Sequence, residues 1–438
     1  MNRFRDILIV ICAILFTLCG KSPTTPVPTT GIIIGKILKA SDSTAIPQAN
    51  IILYNANTNA PVTRVVSGSD GSFEFEVAAS GNYYLKVSAQ NFLPSPPMGG
   101  EAVAFAVAIG DTADRSLYLD AYPAAHAFGG ISGYVRQGSA GVPGVLVVAS
   151  NGSNAVSGVT GPDGYYILYN VTSGSYALNC YREGYRQDTA QVTVQVAADS
   201  IQTGINLSVT NNAAAAAAGS LQCLATNGPD SVDVTLVNHL TREAVPGLVV
   251  MSGIGGAGWR LNNVPPGSYI VWATYRNDGY VMDPDAIFKH GLPSITVPPV
   301  DTLLTITTIS ITGAVPLVSP TNKPDSLFPE EITAATPLFK WTKESSFASA
   351  KEFIIEVFDI RGNSIWGGFD STGVLRCRAM ISGAQDSAIY NFDSSATQAL
   401  QAGQSYRWKV YADANASPGV QQLLSASEDL MGLFKVIK

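Results

Sequence analysis

Asp163-Gly164-Tyr165-Tyr166-Ile167-Leu168, followed by Gly174-Ser175-Tyr176-Ala177-Leu178-Asn179-Cys180, is the stretch from which the fold can be read. An Asp-Gly pair supplies the positive φ that a tight hairpin needs, so one strand ends before it and another begins after it. Past the Gly-x-Tyr turn, Tyr176, Leu178 and Cys180 alternate with Ala177 and Asn179, as a strand with one buried face requires. The same pattern stands earlier as Asp70-Gly71-Ser72-Phe73-Glu74-Phe75 and Gly81-Asn82-Tyr83. It returns in weaker form as Trp259-Arg260-Leu261 and Pro266-Gly267-Ser268-Tyr269, with Gly256-Ala257 in place of Asp-Gly, so that turn must differ.

Outward from these hairpins, each copy opens on a Gly-led strand: Gly31 to Ile37, Gly130 to Val135, and a weaker Gly219 to Leu224. A proline at a strand entrance follows, Pro47, Pro143 or Pro246, where the missing N–H costs nothing. Beyond the Gly-x-Tyr strand come Asn91-Phe92, Gly184-Tyr185 or Gly279-Tyr280. Each copy closes on Asp111-Thr112, Asp199-Ser200 or Asp301-Thr302 ahead of a last strand. Such short strands with turn signals every ~8–12 residues predict an all-β chain of tandem Greek-key β-sandwiches. Ala213 to Ala218 is the one helix-friendly run, too short to be stable alone, and reads as a linker over 210–218.

The order of strand, proline-led strand, Asp-Gly hairpin, Gly-x-Tyr strand and Gly-Tyr turn resembles the carboxypeptidase regulatory-like domain, a transthyretin-like sandwich. The resemblance covers residues 31–121 and 129–209 and extends to a divergent third copy at 219–313. That copy carries additions of its own from Arg276 to Asp285 and from Ile287 to Pro293, read as a long loop. Residues 314–438 change pattern: Pro337-Leu338-Phe339-Lys340-Trp341, Phe353-Ile354-Ile355-Glu356-Val357 and Tyr406-Arg407-Trp408-Lys409-Val410. Tyr406, Trp408 and Val410 share one face and Arg407 and Lys409 the other. This unit resembles a fibronectin type III-like sandwich.

The 438 residues include 13% charged side chains and carry a net charge of −7, which excludes basic nucleic-acid surfaces and long coiled coils. At the N-terminus, Arg3 and Arg5 precede an apolar run from Ile7 to Leu18, the proportions of a secretory signal over 1–18 and too short to span a bilayer. Phe16-Thr17-Leu18-Cys19 resembles the lipobox of bacterial lipoproteins, with Phe16 and Leu18 where that family carries Leu and a small residue. The resemblance implies a lipid on Cys19 and residues 19–30 as a Pro/Thr tether; an ordinary signal with an incidental cysteine is the alternative. By the same resemblance Gly20, rather than Asp, after the cysteine would permit transport to the outer membrane. Cys180, Cys223 and Cys377 fall in different units, so no disulfide framework is expected.

Enzymatic chemistry finds no constellation. His126, His239 and His290 are far apart, and His239-Leu240-Thr241-Arg242-Glu243 lacks the spacing of a zinc pair. No Gly-x-Ser-x-Gly elbow occurs, and Gly253 to Gly258 lacks the Lys-Ser/Thr of a phosphate loop. Asp70, Asp163, Asp111, Asp199 and Asp301 read as turn-formers; Asp278, Asp283 and Asp285 form a candidate calcium cluster. Tyr165, Tyr181, Tyr275 and Tyr280 are the candidate ligand-binding rings, with Tyr165, Tyr181 and Tyr275 expected to be exposed. The resulting expectation is a non-catalytic, cofactor-free envelope lipoprotein, held to the membrane through Cys19, whose modules act as spacer, scaffold or protein-interaction surface. A carbohydrate-binding surface built on the Tyr/Trp rings, and an accessory subunit of a separate peptidase or transporter, are the alternatives; nucleic acid is excluded as a partner.

Overall fold

Alternation in the first copy puts Ile33 and Ile37 of one strand, and Phe73, Phe75 and Val77 of the next, on the same side, and these residues are buried together. The computed structural model describes residues 28–96, 102–122, 127–152, 154–188, 191–211, 213, 215–224, 231–253, 258–274, 279–306, 308–323, 328–343, 347–359, 362–369, 380–415 and 421–437. In it the strand Gly31–Lys39 pairs antiparallel with Ser72–Val77 and parallel with Thr112–Asp114 and Leu117–Leu119. The opposing sheet runs Pro61–Val66, Asn50–Asn55, Gly81–Ser88, Phe105–Val107. Ile51, Leu53, Tyr83, Leu85 and Val87 close the core from that side.

The second unit repeats the plan. Gly129–Gln137 pairs antiparallel with Tyr165–Val171 and parallel with Ile201–Gln202 and Leu207–Thr210. The facing sheet has the order Ala155–Val159, Leu146–Ser150, Gly174–Tyr181, Val192–Val196.

The third unit keeps the topology but differs from the sequence expectation at three places. The alanine run is no linker: Ala215–Gly219 is the unit's first strand, antiparallel to Trp259–Val264 and parallel to Leu303–Thr305. Ala215, Ala216 and Ala217 are all buried. A strand covered on both faces shows no alternation, so its period is invisible in sequence. Small side chains are needed there because Trp259 lies across them; a Cβ on Gly219 would sit 2.8 Å from its ring. The second difference concerns Pro246. Pro47 and Pro143 precede the central strands Asn50–Asn55 and Leu146–Ser150, whereas Pro246 lies inside the edge strand Ala244–Gly253, one strand later. Proline is tolerated at an edge because no ladder hydrogen bond is lost. The central strand of this sheet is Ser231–Asn238.

Part of the expected long loop is a helix, Pro284–His290, with Asp283 as N-cap, Pro284 in the first turn and Gly291 as C-cap. The fourth unit sets a three-stranded sheet, Leu317–Ser319, Leu338–Trp341, Ser387–Ile389, against a larger one ordered Glu330–Ile332, Leu433–Val436, Ser405–Asp413, Glu352–Asp359, Ser364–Gly367. Tyr406, Trp408 and Val410 face inward as expected, packed with Phe339, Trp366 and Phe434.

Candidate functional site

Two small polar devices explain why the repeat motifs take the form they do. At the hairpins, Asp70 Oδ1 accepts from Ser72 N at 3.1 Å and Asp163 Oδ1 from Tyr165 N at 3.0 Å, while Gly71 and Gly164 hold φ of 76° and 80°. These aspartates are turn-formers. At the Gly-x-Tyr turns, each hydroxyl reaches back four residues: Tyr83 Oη donates to Ala79 O at 2.7 Å, Tyr269 Oη to Pro265 O at 2.7 Å, and Tyr176 Oη pairs with Thr172 Oγ1 at 2.6 Å. A buried hydroxyl was missed by the sequence reading. Ser67 Oγ donates to Ile46 O and accepts from Ala49 N; Thr160 Oγ1 does the same for Val142 O and Val145 N. Its signal was a Ser or Thr three places before each Asp-Gly.

The other face of each central sheet is where the units meet. In the first unit Ile52, Tyr54 and Tyr84 point away from their own core and pack with Val159 of the second, the two tyrosine rings stacked 5.0 Å apart. Tyr165 belongs to this seam. Arg64 lies 4.2 Å over its ring and Tyr134 meets its edge at 5.3 Å, so one ring face is occupied by the neighbouring unit. Tyr169 Oη donates to Gln48 O at 3.1 Å. Asn170, with φ of 61°, spans the seam: its Oδ1 accepts from Asn91 N at 2.6 Å, and its Nδ2 donates to Ala89 O at 3.1 Å and Phe92 O at 2.7 Å.

Between the second and third units the described residues form a continuous apolar contact. Leu146, Val148 and Tyr181 lie on the outer side of their sheet yet belong to one continuous apolar cluster with Val234, Val245, Trp259 and Tyr269. Tyr181, expected to be exposed, is therefore buried, with 9% of its surface left, because the third unit covers that face. Burial, with a smaller contribution from Cys180, pushes its hydroxyl up to about 12. Its ring meets Tyr269 edge-on at 5.9 Å. Backbone bonds from Glu183 N to Pro246 O at 3.0 Å and Gly184 N to Asn263 O at 2.9 Å continue the seam, and Arg186 pairs with Asp301 at 3.3 Å.

The third unit also touches the first, through Lys86 and Glu243 at 3.1 Å, with the Lys86 ammonium 5.9 Å from the Tyr54 ring. It meets the fourth through the helix. Asp285 Oδ1 accepts from Leu423 N at 3.2 Å, Thr312 Oγ1 donates to Leu424 O at 3.2 Å, and Val281, Ala314 and Ala426 are buried together. Tyr280 is half-buried on the strand Tyr280–Met282, against the core of its own unit.

The candidate calcium cluster has other work. Asp283 caps the helix through Asp285 N at 3.0 Å, and Asp285 pairs with Lys289 at 2.6 Å. Asp278 and Tyr275, with Cys19, Cys377 and His126, lie outside the described residues. His239 Nδ1 lies 3.1 Å from Ser268 O, His290 is exposed at the helix end, and among the described residues no group of three His, Cys, Asp or Glu side chains is placed to hold a metal. Cys180 is a core residue whose thiol burial pushes up to about 12. Among the described residues no helix is long and apolar enough to cross a membrane. Thus the candidate rings Tyr165, Tyr181 and Tyr280 stand at three separate places and form no common platform.

Comparison with known proteins adds a family at one end of the chain. The carboxypeptidase regulatory-like domain matches residues 32–114, the first unit, whose strand order the second and third units repeat. No curated protein matches the chain. Among solved structures, the TIE protein of Bacillus anthracis is similar at 14% identity and a TM-score of 0.19, covering 64% of this chain, which spans half of that protein's length. The major pilin subunit of Bacillus cereus is similar at 9% identity and a TM-score of 0.19, over 64% of this chain and 99% of that one. The shaft pilin of Lactobacillus rhamnosus GG gives 8%, a TM-score of 0.19, and coverage of 67% and 100%. At such scores the whole-chain arrangements do not superpose, and nothing functional carries across.

Proposed function

We propose that this chain is a non-catalytic scaffold of the bacterial cell envelope, lipid-anchored at Cys19, whose first three units are regulatory-like sandwiches and whose last is fibronectin type III-like. The supporting observation is the continuity of the seams. Where flexible linkers would leave polar gaps, the second and third units share one apolar cluster, and the third and fourth are joined by hydrogen bonds from Leu423 N to Asp285 and from Thr312 to Leu424 O beside the buried Val281, Ala314 and Ala426. Interfaces built that way resist domain motion, which smaller and more polar ones permit. A rigid assembly suits a part that holds other components at fixed positions; the partner is a protein or glycan of the envelope.

Two measurements test the reading. Metabolic labelling with a fatty-acid analogue should mark the wild-type chain and leave Cys19→Ala unmarked and released from the membrane fraction; an unlabelled wild type would remove the anchor. Small-angle scattering should fit one rigid particle, and a broad ensemble of module orientations would remove the scaffold. Glycan recognition by Tyr165 and Tyr280 is not favoured by their separation and by the Arg64 side chain over Tyr165.

A further inference from the structure

On the outer side of the fourth unit's large sheet, Lys409 Nζ is in direct contact with Asp429 Oδ1, both side chains being mostly buried at 22% and 17% exposure. Among the described residues that carboxylate is the one acceptor for the three hydrogens of the ammonium.

The surroundings fix both atoms. Arg407 Nη1 donates to the Asp429 backbone carbonyl at 2.6 Å. Ser427 N donates to Val410 O at 2.8 Å and Trp408 N to Gly432 O at 3.1 Å, so the segment carrying Asp429 is clamped to the Ser405–Asp413 strand on either side of it. Glu356 lies directly opposite Lys409 in the antiparallel register and is 7% exposed. Its carboxyl rests over Gly368, where a Cβ would overlap it. The Tyr411 hydroxyl, on the same face, donates to Glu356.

We infer that Lys409 and Asp429 become joined by a side-chain amide, formed within the folded fourth unit with the loss of one water, Glu356 carrying the proton. The Nζ–Cγ bond forms and one Cγ–O bond of Asp429 breaks. The ammonium first gives a proton to the carboxylate, leaving a neutral amine beside a neutral acid. The amine attacks, Glu356 moves its second proton to the departing hydroxyl by way of Tyr411, and water leaves; no other reactant is consumed. Burial works against the charged amine, and Asp429, with Tyr411, outweighs it, so the pKa of Lys409 ends above the ordinary lysine value and the resting pair is ionic. The reacting form is the minor, proton-shifted pair, and fixed apposition compensates: well-oriented intramolecular partners reach effective molarities of ~10⁵–10⁸ M.

The test is a tryptic digest of the unfolded full-length protein read by mass spectrometry. No Lys or Arg lies between Lys409 and Lys435, so a free Lys409 releases Val410–Lys435 as a linear peptide. The amide blocks cleavage after Lys409 and yields Trp408–Lys435 lighter than its composition by one water. Finding that species in wild type, and its loss in Asp429→Ala, establishes the bond. Wild type giving only linear Val410–Lys435 overturns it, whatever the variants do. Glu356→Gln should release the linear peptide while leaving the near-ultraviolet circular dichroism of the folded aromatic core unchanged; a cross-linked Glu356→Gln would overturn the role of Glu356.

Discussion

A glycine can serve one purpose in two copies of a repeat and acquire a second in the next. Gly81, Gly174 and Gly267 occupy the same place in the Gly-x-Tyr turn. A Cβ on Gly81 would lie 3.5 Å from the ring of its own Tyr83, ordinary contact, whereas on Gly267 it would lie 2.7 Å from Tyr181 of the preceding unit and 2.9 Å from Tyr269 Oη. We therefore expect Gly81→Ala to shift stability by no more than about 1 kcal/mol, and Gly267→Ala to cost about 1–3 kcal/mol through overpacking at a φ of 156° that side chains rarely adopt, both read from urea midpoints. Asn170→Ala should also cost about 1–3 kcal/mol, because Asn91 N and Phe92 O lose the Asn170 side chain as partner and Ala89 O is left with Phe92 N alone; calorimetry that shows an unchanged profile would remove the latch. The motif itself was legible because Asp-Gly and Gly-x-Tyr have backbone consequences. The inter-unit role of Gly267 was not, since no property of the glycine in the chain says what lies across from it.

At the scale of strands, legibility followed alternation. Strands with one wet face, such as Ser72–Val77, announce themselves by period two, and those of the first two units stand where the pattern puts them. Ala215–Gly219, wrapped on both sides, gave no period and was misread; Tyr181 was assigned outward, correctly for its own sheet, but outward there means into a neighbour. A second element-scale consequence lies on the Glu352–Asp359 strand. Glu352 faces Asp413 in register, and burial, then the Asp413 charge, raises the Glu352 pKa. Asp413 is fully buried and, among the described residues, its Oδ2 has no hydrogen-bond partner. A carboxyl with a raised folded-state pKa contributes stability that is full below the ordinary value of ~4.3 and is lost as pH rises through the raised one. Glu352→Gln, which stays neutral and offers an N–H toward Asp413, should thus melt higher than wild type at pH 7. The advantage should vanish when the melts are repeated near pH 4; a pH-independent difference would mean that the charge is not its cause.

For the whole molecule, the shared apolar cluster makes the second and third units one cooperative body. Tyr181→Ala opens a cavity between them and should cost about 3–5 kcal/mol, in line with removal of a buried aromatic ring. In a calorimetric scan, that variant should split a transition that the wild type makes in one step. A wild type already showing separate transitions for the two units would contradict the continuous core. Truncation after residue 209 should leave Leu146, Val148 and Tyr181 bare and yield a chain that aggregates. The recurrence of the sandwich was legible from the repeats; contact between units was not, because the residues that make it alternate correctly for their own sheets.

Lys86 and Glu243 tie the first unit to the third, so the chain turns back on itself before it reaches the fourth. Three units in mutual contact are a cluster, not a column. The height to which such a chain carries its C-terminal unit is then less than the sum of its module lengths, and lengthening it by duplicating an internal repeat would add girth before it added reach.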